Sequence, residues 1–305
     1  MSTRIAHFAD LHYCAKHLKW VDRAFGYAVD HAIQHGAQAA VLAGDSFDAA
    51  INLHEPAVSA FFARVKRLAD AMPVLVLQGT QSHDRPGAIT PLRALGERVT
   101  VADSIHQAAL MRGGWMLSEG AGFAAADVPS AIALFSCLPS VNKAGIAAAL
   151  GPEYAAEKAG EYVLDLCRGW APANLRAREL RVPSILVSHG TVNGCVTETA
   201  RAMVSPDHEF TAGALFAAEV SAVMLGHIHA HQSWQDGRRQ IAYPGSLTKM
   251  IYGHQGETGY LLWDVGHDGA TFQHVPCPSR AMIEAEFVGA RSEEHTSELQ
   301  SLAYL

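Results

Sequence analysis

Short, mostly apolar runs alternate with longer amphipathic stretches along the first third of the chain. The short runs are typical of strands buried on both faces, and the longer stretches space their apolar residues three or four positions apart, as in helices. The resulting β-α-β-α-β order favours right-handed crossovers and a largely parallel sheet. The predicted strands are Arg4–Phe8, Ala39–Ala43 and Val74–Leu77, and the predicted helices are Trp20–His35 and Glu55–Met72.

The second half of the chain repeats this alternation less regularly. The stretch 103–126 is rich in glycine and alanine, and its period is too weak to assign. The last two predicted strands flank the turn 244–246 and are expected to pair antiparallel. The predicted elements are the strands Ile132–Phe135, Ile185–Val187, Ala222–Leu225, Gln240–Tyr243 and Gly259–Trp263 and the helix Pro152–Cys167. We therefore expect an α/β fold in one domain, residues 1–290, with a two-sheet β-sandwich core flanked by helices.

The end of the chain differs in character from the rest. Residues 291–301 read RSEEHTSELQS, a polar run that resembles the translation of a common sequencing-adapter oligonucleotide. The preceding residues 281–288 have the pattern of the start of a further strand. We expect 291–305 to be an artefact that replaces a longer native C-terminal region, and we exclude it from the fold.

The composition is that of a soluble globular protein, with 49% hydrophobic and 17% charged residues in a chain of 305. No run reaches the roughly 18 apolar residues that a membrane span needs, and the N-terminus has no signal-peptide pattern. The five scattered cysteines form no CxxC pair, which favours a reduced, cytoplasmic setting without structural zinc. The net charge of −7 argues against a broad nucleic-acid-binding surface, because phosphate contacts need lysine and arginine.

The 17 histidines are many for this length, and several follow predicted strands directly. Ligand sites in open α/β sheets form outside the carboxyl ends of the strands, so these residues are expected to share one rim. Five strand ends each bring histidine or aspartate there: Asp10-Leu11-His12, Gly44-Asp45 with Asp48, Ser82-His83-Asp84, Ser188-His189-Gly190 and Gly226-His227-Ile228-His229.

This mixture of side chains suits a pair of divalent metal ions. Two ions roughly 3.5–4 Å apart need a bridging carboxylate, with imidazoles and further oxygens completing each ligand set. In an extended tripeptide the outer residues point the same way, so the middle residues Leu11 and Ile228 are expected to pack into the core. Each motif alone has an ordinary explanation, since Asp-x-His arises by chance and Gly-Asp after a strand is commonly a turn. Their joint occurrence in this order favours metal binding.

The series DLH, GDSFD, SHD, SHG and GHIH resembles the calcineurin-like metallophosphoesterase superfamily, whose pattern is DxH, GD, GNH(D/E), H and GHxH. GDSFD, together with YPGS after GHIH, is similar to the SbcD-type DNA repair nucleases, which are catalytic subunits that pair with a coiled-coil ATPase. The resemblance runs from Ile5 to Asp264. It implies the metallophosphoesterase fold, in which four layers are ordered αββα.

The resemblance also implies a role for each residue of the rim. His83 would lie beside the scissile phosphate, oriented by Asp84, to stabilise charge or protonate the leaving oxygen. Asp48 and Gln81 would support the site from outside the ligand set. In the family both ions are usually manganese, and magnesium, iron and zinc are also compatible with such ligands. The implied ligands are Asp10, His12 and His229 for the first ion, Asp45 as the bridge, and His189 and His227 for the second.

One position departs from the family pattern. The family's GNH places an asparagine directly before the catalytic histidine, and its amide oxygen binds the second ion. This chain has two extra residues in the stretch 79–84, which puts Ser82 at the asparagine position. Three possibilities follow: the Ser82 hydroxyl is a ligand, the Gln81 carbonyl is, or the second ion binds more weakly.

The function implied by the resemblance is that of an SbcD-type DNA nuclease, exonucleolytic on duplex ends and endonucleolytic on single strands or hairpins. Its partners would be DNA, an SbcC-like coiled-coil ATPase and a second copy in a homodimer, and no membrane is implied. The acidic charge favours an alternative, a phosphomonoesterase or cyclic-nucleotide phosphodiesterase with the same ions. The missing asparagine favours another, an inactive subunit that scaffolds the ATPase.

Overall fold

The computed structural model describes residues 2–52, 54–140, 152–202 and 209–283. The tail 291–305 and most of the strand expected at 281–288 lie outside these residues. Six strands within the described ranges form the first sheet: β1 (Thr3–Phe8), β2 (Ala39–Ala43), β3 (Val74–Leu77), β4 (Val99–Ala102), β14 (Gly259–Gly266) and β15 (Gly269–Pro276). Their order is β15-β14-β1-β2-β3-β4. β1 to β4 run parallel, and β14 and β15 are added antiparallel at one edge.

A second mixed sheet packs on the first. In the part of the chain that the structure describes, its seven strands are β5 (His106–Met111), β6 (Gly114–Leu117), β7 (Ala133–Leu138), β8 (Ser184–His189), β11 (Ala222–Gly226), β12 (Gln232–Asp236) and β13 (Arg239–Tyr243). Their order is β12-β13-β11-β8-β7-β5-β6, with the parallel strands in the middle. A short parallel pair, β9 (Thr191–Val192) and β10 (Glu209–Phe210), follows β8 along the chain.

Helices cover the outer face of each sheet. α1 (Leu18–Gln34) and α2 (Pro56–Ala71) pack on the first sheet, whereas α3 (Pro152–Glu179) and α4 (Ala212–Phe216) pack on the second. None of the helices in the described ranges combines the length and apolar character needed to cross a bilayer. The layers are therefore ordered αββα.

Alternation along the strands distributes apolar side chains between the layers. In β1, Phe8 packs with Phe25 and Phe61 beneath the helices, whereas Ile5 faces the other sheet and packs with Phe135. All five side chains are fully buried. Each such burial contributes about 1.5–3 kcal/mol, so the two inner sheets form the stable frame on which the rim loops rest.

The predicted fold, two sheets between helices, is confirmed, and β2 and β3 have the predicted bounds. α3 continues past the predicted end at Cys167, through Pro172. The predicted pairing of the last two strands is wrong, because β13 lies parallel to β11 in the second sheet and β14 lies antiparallel to β1 in the first. The turn at Pro244 therefore crosses between sheets. A strand's alternation does not reveal which sheet it joins, and the pairing depends on distant residues.

Candidate metal centre

The carboxyl ends of four parallel strands meet at one rim of the sandwich. β1 and β2 lie side by side there in the first sheet, as do β8 and β11 in the second. Asp10 and Asp45 each come two residues after their strand, whereas His189 ends β8 and His227 follows β11 directly. The sheets touch at this point, because the His189 ring donates from Nδ1 to the Ala43 carbonyl at 2.7 Å.

Four of the predicted ligands have a left-handed backbone conformation. The φ angle is 52° at Asp10, 51° at His12, 51° at Asp45 and 107° at His227. Such a conformation costs a non-glycine residue roughly 1–3 kcal/mol, and strain of this kind concentrates at functional sites. The rim is thus built from residues that the surrounding fold holds in an unfavourable backbone state.

The prediction that the Asp-x-His and His-x-His tripeptides are extended is therefore wrong. The chain turns after β1, and the His12 N–H donates to the Asp45 carbonyl at 3.0 Å, which joins the loops after β1 and β2. The middle residues Leu11 and Ile228 are each 2% exposed and pack in the core, which confirms that part of the prediction. The left-handed turns thus bury the middle residue of each motif, as the alternation of side chains along a strand would.

Glycines directly before several rim residues allow the loops to approach each other. A Cβ atom on Gly79 would lie 2.2 Å from the Asp45 backbone nitrogen. On Gly44 or Gly226 it would lie 2.3 or 2.7 Å from Nδ1 of His189. Any side chain at these positions would separate the segments that bear the predicted ligands.

Asp10, His12 and His229 form the first cluster, in which one ligand atom of each residue lies within 4.8 Å of the others. The Nε2 atoms of His12 and His229 face each other at 3.0 Å. The Asp10 carboxylate accepts the backbone N–H of His227 at 2.9 Å, which fixes its orientation. Burial lowers the pKa of His229 well below its ordinary value, and positive charge on His12 lowers it further. The His229 imidazole is therefore neutral and has a lone pair for a cation.

Asp45, His189 and His227 form the second cluster by the same criterion. Because Nδ1 of His189 donates to the Ala43 carbonyl, its Nε2 atom is left facing Asp45. That Nε2 atom lies 3.2 Å from Asp45 Oδ1, within ion-pair distance. Ligands that are each about 2.1 Å from one ion and at right angles to each other lie about 3 Å apart. The spacing fits a cation between the two atoms.

The electrostatics of the rim are those of a cation site. Burial would lower the pKa of His189, but the adjacent Asp45 carboxylate raises it to about 9. Burial would raise the pKa of Asp45, yet His189 and His12 hold it well below its ordinary value. Burial raises the pKa of Asp10, and the Asp45 charge adds to this effect. Buried carboxylates among imidazoles are costly unless a proton or a metal ion balances them, so the residues present fit two divalent ions.

His83 lies at the same rim, beside His12. The two rings meet edge-on with centroids 4.7 Å apart. Nδ1 of His83 donates to the Asp48 carbonyl at 2.7 Å, which turns Nε2 toward Asp45, 3.9 Å from Oδ2. The His83 side chain is 30% exposed, so Nε2 is accessible to a ligand that approaches the clusters from solvent.

Asp84 does not orient His83, contrary to the prediction. Its buried carboxylate accepts the backbone N–H groups of Ser46, Phe47 and Gly79 at 3.0 to 3.3 Å. These bonds join the loops after β2 and β3. The prediction failed because neighbouring residues in a tight turn point in different directions, and the Asp84 carboxylate turns inward to unpaired backbone groups.

Thr80, and not Ser82, contacts the carboxylate of Asp45. The backbone N–H and the hydroxyl of Thr80 both donate to Asp45 Oδ1, at 2.7 and 2.8 Å. Ser82 and Gln81 are exposed in the turn that follows, where the Ser82 hydroxyl donates to that of Thr80 at 3.4 Å. Sequence reasoning missed Thr80 because it counted backward from His83. Aligning the motifs on the strand ends would have found Thr80. Thr80 comes directly after the glycine that follows β3, just as Asp45 comes directly after the glycine that follows β2.

Asp48 supports His12 on the ring edge opposite the first cluster. Asp48 Oδ1 lies 3.5 Å from Nδ1 of His12, whose Nε2 faces His229. A carboxylate in this position orients a metal-binding imidazole and raises its basicity. We expect Asp48→Ala to weaken the binding of an added divalent metal ion about 10- to 100-fold, as measured by calorimetry. Asp70→Ala, which removes an exposed carboxylate paired with Lys66, is the control. Equal affinities in the two variants would exclude this supporting role.

Comparison with known proteins identifies the fold. No family model matches the sequence, and no curated protein matches it. The chain is similar to the structure of GAP50, the anchor in the inner membrane complex of Plasmodium, at 14% identity and a TM-score of 0.53, over 100% of this chain and 95% of that one. It is also similar to a dimetal phosphatase from Danio rerio, at 10% identity and a TM-score of 0.50, over 88% of this chain and 98% of that one. The likeness shows a metallophosphoesterase-like fold.

Proposed function

We propose that this chain is a phosphoester hydrolase that uses two divalent metal ions. The observation that carries the proposal is that two three-residue clusters, together with a third group of His12, Asp48 and His83 that shares His12 with the first, lie at one rim of a fold shared with a dimetal phosphatase. Manganese is the proposed ion, because imidazole and carboxylate ligands of this kind accept it. The proposed ligands are Asp10, His12 and His229 for the first ion, His189 and His227 for the second, and Asp45 for both.

The residues of the rim have distinct parts in the proposed reaction. When bound, the two cations supply Lewis-acid stabilisation of the phosphate oxygens and lower the pKa of water. Thr80 fixes the bridging carboxylate of Asp45 through two hydrogen bonds. His83 presents Nε2 at the open side of the site, where it donates a proton to the leaving oxygen or stabilises charge. The Asp48 carbonyl holds the opposite ring nitrogen, so the imidazole is kept in place.

The proposed substrate is a DNA phosphodiester, as in the SbcD-type nucleases that the sequence resembles. GDSFD and YPGS support this assignment. The YPGS turn lies against the first cluster, because the Ser246 N–H donates to the His229 carbonyl at 3.1 Å. An SbcC-like coiled-coil ATPase, a homodimer and a cytoplasmic setting belong to the same proposal. The ATPase would supply positive charge for DNA that a chain of net charge −7 lacks.

A phosphomonoesterase is the second candidate. The acidic net charge and the fold likeness to a dimetal phosphatase favour it. The same ligand set serves both reactions, so the geometry of the clusters does not distinguish them. The substrates must therefore be compared directly.

The test is hydrolysis by the purified protein with manganese. We expect turnover of linear duplex DNA, hairpin DNA and bis(p-nitrophenyl) phosphate. His83→Ala should lower turnover about 10²-fold and leave metal binding unchanged, because His83 is outside the ligand set. His267→Ala, in the turn between β14 and β15 at the opposite end of the sandwich, should retain full activity.

Each other outcome points to a different conclusion. Hydrolysis of p-nitrophenyl phosphate without hydrolysis of any diester would favour the phosphomonoesterase. No turnover together with fewer than two bound ions would contradict both enzymes and favour the scaffold subunit. Full activity of His83→Ala would remove His83 from the proposed mechanism.

A further inference from the structure

Tyr243 ends β13 and begins the YPGS turn, and its hydroxyl group has no part in the proposed reaction. The side chain is fully buried, and its ring meets that of Trp234 edge-on with centroids 5.9 Å apart. Phenylalanine would make the same apolar contacts at this position. What the hydroxyl adds is hydrogen bonding, and a buried hydroxyl forms its hydrogen bonds within the protein. The partners of this group therefore indicate what tyrosine contributes here.

Two hydrogen bonds join the Tyr243 hydroxyl to the segment that follows β8. The hydroxyl donates to the Gly190 carbonyl and accepts the Val192 N–H at 2.9 Å. Gly190 and Val192 are buried, so these backbone groups need partners inside the protein. Gly190 comes directly after His189, a proposed ligand of the second ion. One hydroxyl thus holds the backbone next to this ligand.

The backbone of Tyr243 holds the other histidine-bearing loop of the second cluster. The Tyr243 carbonyl accepts a hydrogen bond from Nδ1 of His231 at 2.7 Å. His231 lies between β11 and β12, on the loop that also bears His227. The rings of His227 and His189 lie 5.3 Å apart between their centroids. Tyr243 therefore connects the two loops that supply imidazoles to the proposed second ion.

The geometry of His189 leaves little room for displacement. Its Nδ1 atom donates to the Ala43 carbonyl at 2.7 Å, and its Nε2 atom lies 3.2 Å from Asp45 Oδ1. His189 is the last residue of β8 and pairs with Gly226, the last residue of β11. A metal ligand must be held within roughly 0.5 Å of its productive position. The ring of His189 is held from the first sheet, and the backbone that follows it is held by Tyr243.

We propose that Tyr243 is a positioning residue for the second ion, and that its hydroxyl keeps the backbone after β8 in the place where His189 faces Asp45. Without the hydroxyl, a buried carbonyl and a buried N–H group of that segment lose this partner, and the segment must move to form new hydrogen bonds. His189 would move with it. Asp10 and His12 follow β1 in the other sheet, so binding of the first ion should not change. The inference rests on the proposed function and gives the YPGS turn a part in metal binding.

The test is a manganese titration of Tyr243→Phe, followed by calorimetry. We expect the dissociation constant of one binding step to rise about 10-fold and that of the other step to stay the same. Loss of a group that supports a metal ligand weakens metal binding about 10- to 100-fold, and Tyr243 acts through the backbone, so the lower value applies. Electron paramagnetic resonance distinguishes a single manganese ion from a coupled pair. At subsaturating manganese, the signal of the pair should decrease and that of the single ion should increase.

Hydrolysis of bis(p-nitrophenyl) phosphate provides a second readout of the same variant. At a manganese concentration near the dissociation constant of the weaker step in the wild type, turnover by Tyr243→Phe should be several-fold lower. At saturating manganese it should return to the wild-type value, because the hydroxyl does not contact the substrate in the proposed reaction.

Tyr260→Phe is the matched control. Tyr260 is also fully buried, and its hydroxyl lies 2.7 Å from Nδ1 of His31, which belongs to α1 on the first sheet. Each substitution removes one buried hydroxyl group, so each should lower Tm by about 2–6 °C. Only Tyr243→Phe should weaken manganese binding. An effect of stability alone would appear in both variants.

The outcomes separate this inference from the function on which it rests. Wild-type protein that binds fewer than two manganese ions, or that hydrolyses no phosphoester, would contradict the proposed function itself. Wild-type affinity for both ions in Tyr243→Phe would overturn the positioning role. Equal weakening of both ions, or turnover that saturating manganese does not restore, would also overturn it. Failure of Tyr243→Phe to fold, while Tyr260→Phe folds, would count against it as well, because the hydroxyl would then support the whole fold.

Discussion

Asp45→Asn should lower manganese-dependent turnover of bis(p-nitrophenyl) phosphate by about 10³-fold or more. The Asp45 carboxylate lies 3.2 Å from His189 and accepts two hydrogen bonds from Thr80, and its charge reaches His12 in the first cluster. Charge stabilisation by a metal pair is worth several kcal/mol, and about 4 kcal/mol corresponds to a factor of about 10³ in rate. In the proposed arrangement, removing the Asp45 charge should weaken both ion sites together.

Asparagine is the informative replacement because it preserves the backbone. Asp45 has a φ of 51°, and asparagine tolerates this left-handed conformation better than alanine does. Its amide oxygen can still accept from Thr80, so the loops should stay in place. Asp236→Asn, at an exposed position in β12, is the control and should change nothing. Two bound ions with turnover within about 10-fold of the wild type would show that Asp45 does not bridge.

The arrangement of the rim could be predicted from the sequence because its residues follow strands. Buried apolar runs located β1, β2 and β3, and parallel strands bring their carboxyl ends to one edge. Asp10, Asp45 and His189 therefore lie together, although they are far apart in the chain. At these positions the apolar runs of the sequence and the parallel order of the strands predict the same location.

Other features depend on contacts between distant residues and are invisible in a local pattern. The Thr80–Asp45 pair joins two loops, and its recognition requires the distance between β2 and β3. The Asp84 carboxylate points inward because it accepts hydrogen bonds from backbone N–H groups of another loop. Sequence reasoning therefore found the side chains expected to bind ions and missed the contacts that hold their loops together.

Gly79→Ala should destabilise the protein and disrupt the second cluster at once. The new Cβ atom would lie 2.2 Å from both the backbone nitrogen and Oδ1 of Asp45, so a whole loop must move. The movement would break the bonds from Thr80 to Asp45 and from the residue 79 N–H to Asp84. Overpacking costs about 1–3 kcal/mol and each lost hydrogen bond about 1 kcal/mol more. We expect unfolding free energy to fall by about 3 kcal/mol, which lowers Tm by roughly 6–12 °C.

A second glycine separates this effect from the general effect of adding a methyl group. Gly169 lies in α3, where a Cβ atom meets no atom within 4 Å, so Gly169→Ala should raise Tm slightly through its higher helix propensity. Thermal unfolding and manganese titration of both variants measure the difference. If Gly79→Ala kept the wild-type Tm and bound two ions, the loops would not need their close approach. If it lost one ion while Gly169→Ala kept both, the second ion would depend on the contact between Gly79 and Asp45.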